Sequence, residues 1–193
     1  MKNMICRLVD RVSLKSCLIA TAVFLFMLWL IDFSPIGVAG LLKVSNGVSI
    51  LDYETRYSVD YAYDWLTRMG EAGRNFHLTK VMPLDIFYPP AFMLFMFSWC
   101  SLITKKITSS DGIIKCLPAL SVIYLLLDWL ENIGITAMLI NFPVRLNMIC
   151  IATGWITSIK KTVVLCILVI ALTEIIAAVI IGLKGRAHAE IKG

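Results

Sequence analysis

From Thr162 to Gly182 the chain runs for roughly 20 residues with Glu174 as its one ionisable side chain, which is long and apolar enough to cross the hydrocarbon core of a bilayer as a helix. Three further stretches share that character. The expected spans are about 16–35, 83–104, 115–141 and 148–183, with the segment 37–82 lying outside the membrane. Of the 193 residues, 59% are apolar and 16% charged, whereas an ordinary soluble domain has about 45–50% and about 25%. A water-soluble globule, a disordered chain, a collagen-like repeat and a disulfide-stapled miniprotein are all excluded on that ground. The expected architecture is all-α: a single polytopic membrane domain, a four-transmembrane-helix bundle with a short helical extracytoplasmic cap.

A cleavable leader is the rival reading of the first span, because Gly37-Val38-Ala39 loosely resembles a small-residue cleavage site. Its apolar run exceeds an ordinary signal core, so a retained span is expected. The second span carries Pro89-Pro90 in its first turns, where proline is tolerated, and Pro118 and Pro143 bracket the third. The fourth is too long for an ordinary span: either it projects as one long helix, or its first dozen residues lie at the interface.

The formal net charge of +5 is topological. Lys2, Arg7, Arg11 and Lys15 precede the first span, Lys105, Lys106 and Lys115 face only Asp111 between the second and third, and the tail carries Lys184, Arg186 and Lys192 against Glu190. Those sides should face the cytoplasm. In the outer segment Lys43, Arg56, Arg68, Arg74 and Lys80 are balanced by Asp52, Glu54, Asp60, Asp64 and Glu71. Both termini are then inside. The basic residues form no stripe broad enough for nucleic acid, so no nucleic-acid partner is expected.

The six cysteines contain no C-x-x-C pair and read as small membrane-compatible side chains, and His77 and His188 lack zinc-ligand spacing. No metal and no cofactor are expected. Nucleotide, nicotinamide, serine-hydrolase and zinc-peptidase motifs are missing from the sequence as well.

Within the outer segment Ser58 is placed to cap a helix in which Val59, Tyr63, Leu66 and Met69 recur at helical spacing until Gly70 ends the run. A second short amphipathic piece, about Glu71 to Val81, leads into span two. The expectation is a helical cap on the outer face of the bundle. The plainer reading is an interfacial helix that Tyr61, Tyr63 and Trp65 anchor among the headgroups.

Ionisable groups inside spans are costly, at roughly 2.5–3.5 kcal/mol near mid-membrane, and they face the bundle interior. At 100° per residue Ser121, Tyr124, Asp128, Glu131 and Asn132 share one stripe of span three. Two carboxylates at i, i+3 repel when both are ionised and demand a proton or a nearby cation. The last helix offers Lys160 on a stripe with Thr153 and Thr157, and Glu174 returns to that face about four turns later. Asp85 lies near the outer end of span two, with Arg74 about three turns before it, so a charged pocket in the outer half of the bundle is expected.

Plainer readings exist for these residues too. Asp128, Glu131 and Lys160 could form a static ion-pair network that fixes helix register, and Asn132, Thr153 and Thr157 read as interhelical hydrogen-bond glue. Lys160 and Lys161 would snorkel to the surface if the real span began at Thr162. Asp32 reads as interfacial, and Glu174 lies deep in the inner half, where a proton path would need it.

Gly73-Arg74, Asp85 followed by Phe87-Tyr88-Pro89, Asp128-x-x-Glu131-Asn132 and Thr157-x-x-Lys160, in that order from about Leu51 to Val169, resemble a set of small, uncharacterised four-span bacterial integral membrane proteins. Phe76 departs from the tyrosine expected after the Gly-Arg pair. The resemblance implies the topology, a bacterial inner-membrane location and the choice of polar residues, and no chemistry. EXPERA-type sterol isomerases also hold membrane carboxylates within few spans, an analogy only, since their motifs do not align here.

The sequence leaves open a site that binds or acts on a membrane lipid or amphipathic small molecule, a proton-coupled carrier, and an accessory or assembly subunit docking a membrane partner. In the first, Asp128 and Glu131 are the acid and base candidates. Lys160 and Arg74 would hold an anionic headgroup, Asn132 would orient it, and Asp85, Tyr124 and Thr157 complete the ligand-binding set. A relay through Asp128, Glu131 and Glu174 would require a homodimer.

Overall fold

A computed structural model describes the backbone of residues 2–107 and 117–190 and the side chains of 4–107 and 117–180. Asp111, Lys115 and Lys192, the side chains of Lys2, Lys184, Arg186, His188 and Glu190, and the first residues of the expected third span lie outside those limits. Among the described residues every regular element is helical. In chain order they are α1 (Lys2–Arg11), α2 (Leu14–Leu28), α3 (Val38–Val44), α4 (Val59–Phe76), α5 (Met82–Asp85), α6 (Tyr88–Ile107), α7 (Leu120–Asn141) and α8 (Asn147–Glu190). Four helical stretches are long and apolar enough to cross a membrane, as the sequence leads one to expect.

The helices start and stop where local chemistry requires. Ser13 accepts from the Ser16 amide and opens α2, while Ser58 accepts from the Tyr61 amide at 3.2 Å and opens α4. Gly70 adopts φ 69°, a left-handed conformation that glycine takes at no steric cost, and folds α4 back on itself. The Arg74 guanidinium thereby reaches back to the Leu66 carbonyl at 2.8 Å, at the end of the first half of α4. A cation is favoured there by the helix dipole. α6 opens at Tyr88 with Pro89 and Pro90 in its first turn, and α8 is one continuous helix from Asn147.

α7 and α8 make the closest pair. A Cβ added at Gly134 would meet Thr153 Oγ1 at 2.0 Å, so glycine there lets the two backbones approach. α3, α4 and the segment between them pack on the ends of this pair through Leu41, Leu51, Leu66 and Met69 against Ile135 and Met138, all buried. At the opposite end of the bundle a smaller apolar cluster joins Met96 and Cys100 of α6 to Tyr124 of α7 and Ile167 of α8.

One departure from the sequence reading matters for function. The segment between α3 and α4 does not simply lie on top of the bundle. It descends alongside α8: Lys161 Nζ donates to the Tyr53 carbonyl at 2.8 Å, Ser158 Oγ to the Thr55 carbonyl at 3.0 Å, and the Tyr57 carbonyl faces Gly154. These contacts order the strand-like segment antiparallel to the helix, and they carry Asp52 down to the level of Lys160.

Candidate functional site

Lys160 Nζ is the centre of the site. It pairs with Asp128 Oδ1 at 2.9 Å, with Asp52 Oδ2 at 3.6 Å and with Glu131 Oε2. Glu131 is fully buried and Lys160 only 6% exposed, so Lys160 does not snorkel to the surface. Removing ions from water at such depth is costly unless each finds partners, and here the partners come from three separate parts of the chain. Glu131 Oε1 accepts from Thr157 Oγ1 at 2.6 Å, and Asp128 Oδ2 accepts from Asn132 Nδ2 at 3.2 Å. The Tyr124 hydroxyl lies beside the Asp128 carboxylate.

Each carboxylate oxygen of Asp128 and Glu131 therefore faces a partner, Glu131 Oε2 through its ion pair with Lys160 and without a hydrogen bond. The atoms with unmet capacity lie around them: among the described residues Asp85 Oδ2, Asp52 Oδ1 and Asn132 Oδ1 accept no hydrogen bond, and the Tyr57 hydroxyl and both His77 ring nitrogens make none. Asp85 lies within electrostatic reach of Asp52, Asp128, Glu131 and Lys160. Tyr57 and Tyr53 stand in the descending segment. Burial pushes the Tyr57 phenol up from its ordinary value, with the charges of Glu131 and Asp52 adding; Tyr53, more than half exposed, is raised by partial desolvation and by its 2.9 Å hydrogen bond to Asp32.

The carboxylates of Asp52, Asp128 and Glu131 bring one oxygen each within 4.8 Å of one another, a grouping compatible with a metal ion. The Lys160 ammonium already supplies the positive charge at that point. A hard divalent ion would need about six oxygen ligands and would have to displace the lysine.

The interruption of the helix between α5 and α6 gives Asp85 its place. Helical hydrogen bonding lapses there, and α7 supplies replacements: Trp129 Nε1 donates to the Ile86 carbonyl at 3.1 Å and Asn132 Nδ2 to the Asp85 carbonyl at 3.3 Å. Irregular backbone at membrane depth is tolerated only where such donors satisfy it. Beside this junction a groove of about 870 Å³ runs along α7, walled by apolar groups such as Met82, Ile86, Ile133 and Ala137, with Asn132 in its wall. Ile86 and Ile133 are exposed on its rim.

Of the residues expected to converge, Asp128, Glu131, Asn132, Thr157, Lys160, Tyr124 and Asp85 do so. Arg74 is placed elsewhere, on the Leu66 carbonyl and over the Phe142 ring at 4.1 Å. Glu174 is separate too. It accepts from Thr104 Oγ1 at 2.6 Å, about 20 Å along α8 from Lys160. Phe92, Met96, Val163, Val164, Ile167 and Ala171 pack with Tyr124 in the layer between. Sequence reasoning missed Asp52 and His77. Asp52 follows Ile50-Leu51, and a carboxylate directly after such a pair was the available signal; His77 had none beyond its position in an amphipathic stretch.

No protein-family model matches the chain, and comparison with curated proteins and with solved structures gives no match.

Proposed function

We propose that this multi-pass membrane protein binds a membrane-borne amphiphile, whose chain lies in the groove between α5 and α7 and whose head reaches the Asp85–Asn132 edge of the buried cluster. One observation carries the reading: the same Asn132 side chain forms part of the groove wall and hydrogen-bonds to both Asp128 and the Asp85 backbone. An apolar trough of this size that ends on a few polar atoms is the usual form of a small-molecule site. The basic residues at the chain ends support a reading with both termini in the cytoplasm and the α3–α4 cap outside; the site then opens toward the outer half of the bilayer.

The reading is one of binding. Acid–base work by Asp128 or Glu131 would need an oxygen that Lys160, Thr157 or Asn132 now holds. Static ion pairing accounts for Lys160 with its carboxylates, but not for Asp85 Oδ2 and Asn132 Oδ1, which the cluster leaves without donors.

The test is native mass spectrometry of the full chain released from lipid nanodiscs. Ala137→Phe fills the groove and is expected to abolish retained amphiphile, whereas Leu172→Phe, on an exposed face at the other end of α8, retains it. Equal retention in both variants, or none in the parent protein, overturns the proposal.

A further inference from the structure

Resting on that reading, we infer that the head of the bound amphiphile is a protonated amine with N–H donors, seated against Asp85 Oδ2 and Asn132 Oδ1. Two independent observations converge on this class. The first is charge. Asp52, Asp85, Asp128 and Glu131 surround one ammonium, and that ammonium is shared among three of them. Three cations close to the cluster are committed elsewhere: Lys161 to the Tyr53 carbonyl, Arg56 over the Trp155 ring at 4.0 Å, and Arg74 at the turn of α4. A sulfate or phosphate head would add negative charge beside four carboxylates that have one buried ammonium among them.

The second observation is hydrogen bonding. Asp85 and Asn132 are 5% and 8% exposed, and each keeps an acceptor oxygen without a donor among the described residues. Buried acceptors are costly to leave unmet, and a charged donor gives the stronger bond. An alcohol would meet the acceptors without meeting the charge, and a quaternary ammonium would meet the charge without donating. A primary or secondary amine does both. The apolar groove walls leave the head as the one polar part of the ligand, so a bare metal ion gains nothing from them. The expected role of Lys160 and Arg74 as holders of an anionic headgroup is thereby reversed.

The experiment compares dodecylamine, dodecanol, dodecyl sulfate and dodecyltrimethylammonium, at equal mole fraction in nanodiscs of zwitterionic lipid, for binding to the full-length protein. Dodecylamine is expected to bind about tenfold more tightly than dodecanol, with the sulfate weakest. Dodecyltrimethylammonium should fall at least about fivefold below the amine. Asp85→Asn should bring the amine to the level of the alcohol, while alcohol binding stays within about twofold.

Sulfate binding equal to amine binding overturns the inference, as does an amine preference that survives Asp85→Asn. If that variant fails to fold, the trimethylammonium comparison on the parent protein decides alone: equal binding of the two cations removes the donor requirement and with it the proposed head. Equal binding of all four probes, lost in Ala137→Phe, keeps the groove and removes the amine. If no probe binds, or if Ala137→Phe changes none, the groove reading itself fails.

Discussion

The two ends of the bundle each bury carboxylate in an apolar setting and treat it in opposite ways. Near the cap, Asp128 and Glu131 gather a lysine, a threonine and an asparagine from α7 and α8, and a further carboxylate from the descending segment. At the other end Glu174 has the Thr104 hydroxyl, and its second oxygen has no donor among the described residues. The packing differs in parallel. The cap end has a large mixed core built from Leu41, Leu51, Leu66, Met69, Ile135 and Met138, whereas the other end joins fewer buried groups and leaves Leu165, Leu168 and Leu172 facing outward. The contrast teaches that several charged groups are gathered into one cluster at the end with the larger tertiary core, whereas the thinner end supplies a single hydroxyl.

The largest effect that would break the contrast is expected for Lys160→Met. It leaves Asp52, Asp128 and Glu131 buried without their shared cation, and removing one partner of a buried pair costs about 3–5 kcal/mol. Thermal unfolding in detergent should show the loss, and adding Glu131→Gln to Lys160→Met should recover part of it. A double variant no more stable than the single would show that the charges are not coupled.

Gly134→Leu comes next. Its Cβ would stand 2.0 Å from Thr153 Oγ1, so α7 and α8 must separate, at about 1–3 kcal/mol as for other overpacked cores. Amine binding should weaken in the same variant, because Asn132 moves with α7. Unchanged unfolding would mean that the helices have room to slide.

The cap end should contribute to the alkaline limb of stability. Since folding raises the Tyr53 and Tyr57 phenols, their contribution is fully present below the unfolded value of about 10 and is lost as pH rises above it. Between pH 7 and 9 these groups should leave stability flat. The double variant Tyr53→Phe, Tyr57→Phe should flatten the fall above about pH 10; an identical alkaline slope would contradict the burial of Tyr57 and the Tyr53–Asp32 hydrogen bond.

The smallest change is expected for Glu174→Gln, within about 1 kcal/mol, since a single interhelical hydrogen bond in a membrane contributes about 0.6 kcal/mol on average. An effect as large as that of Lys160→Met would erase the distinction between the two ends.

Much of the fold was legible from residue order. The spans follow from the apolar runs, Ser58 and Gly70 mark the limits of the first half of α4, and Tyr124, Asp128, Glu131 and Asn132 share a stripe because the helical period requires it. Lys160 could be matched to Glu131 because both sit on long helices joined by the short turn at Pro143. Arg74 could not be placed that way. Its position depends on the reversal at Gly70, which turns the guanidinium toward Leu66 and Phe142 and away from Asp85. Asp52 escaped notice for a related reason: an irregular segment has no period, so nothing in its spacing tells that it descends beside α8.

The sequence by itself determined the membrane helices, their caps and the face of α7 that carries polar groups, because these depend on apolar length, on capping side chains and on a rotation of 100° per residue. Only the tertiary structure decided which charges meet, which acceptors remain open and that Asn132 joins the groove to the cluster. Those outcomes depend on how segments far apart in the chain approach one another, and such distances are set by packing at places like Gly134 and along the path from Asp52 to Ser58.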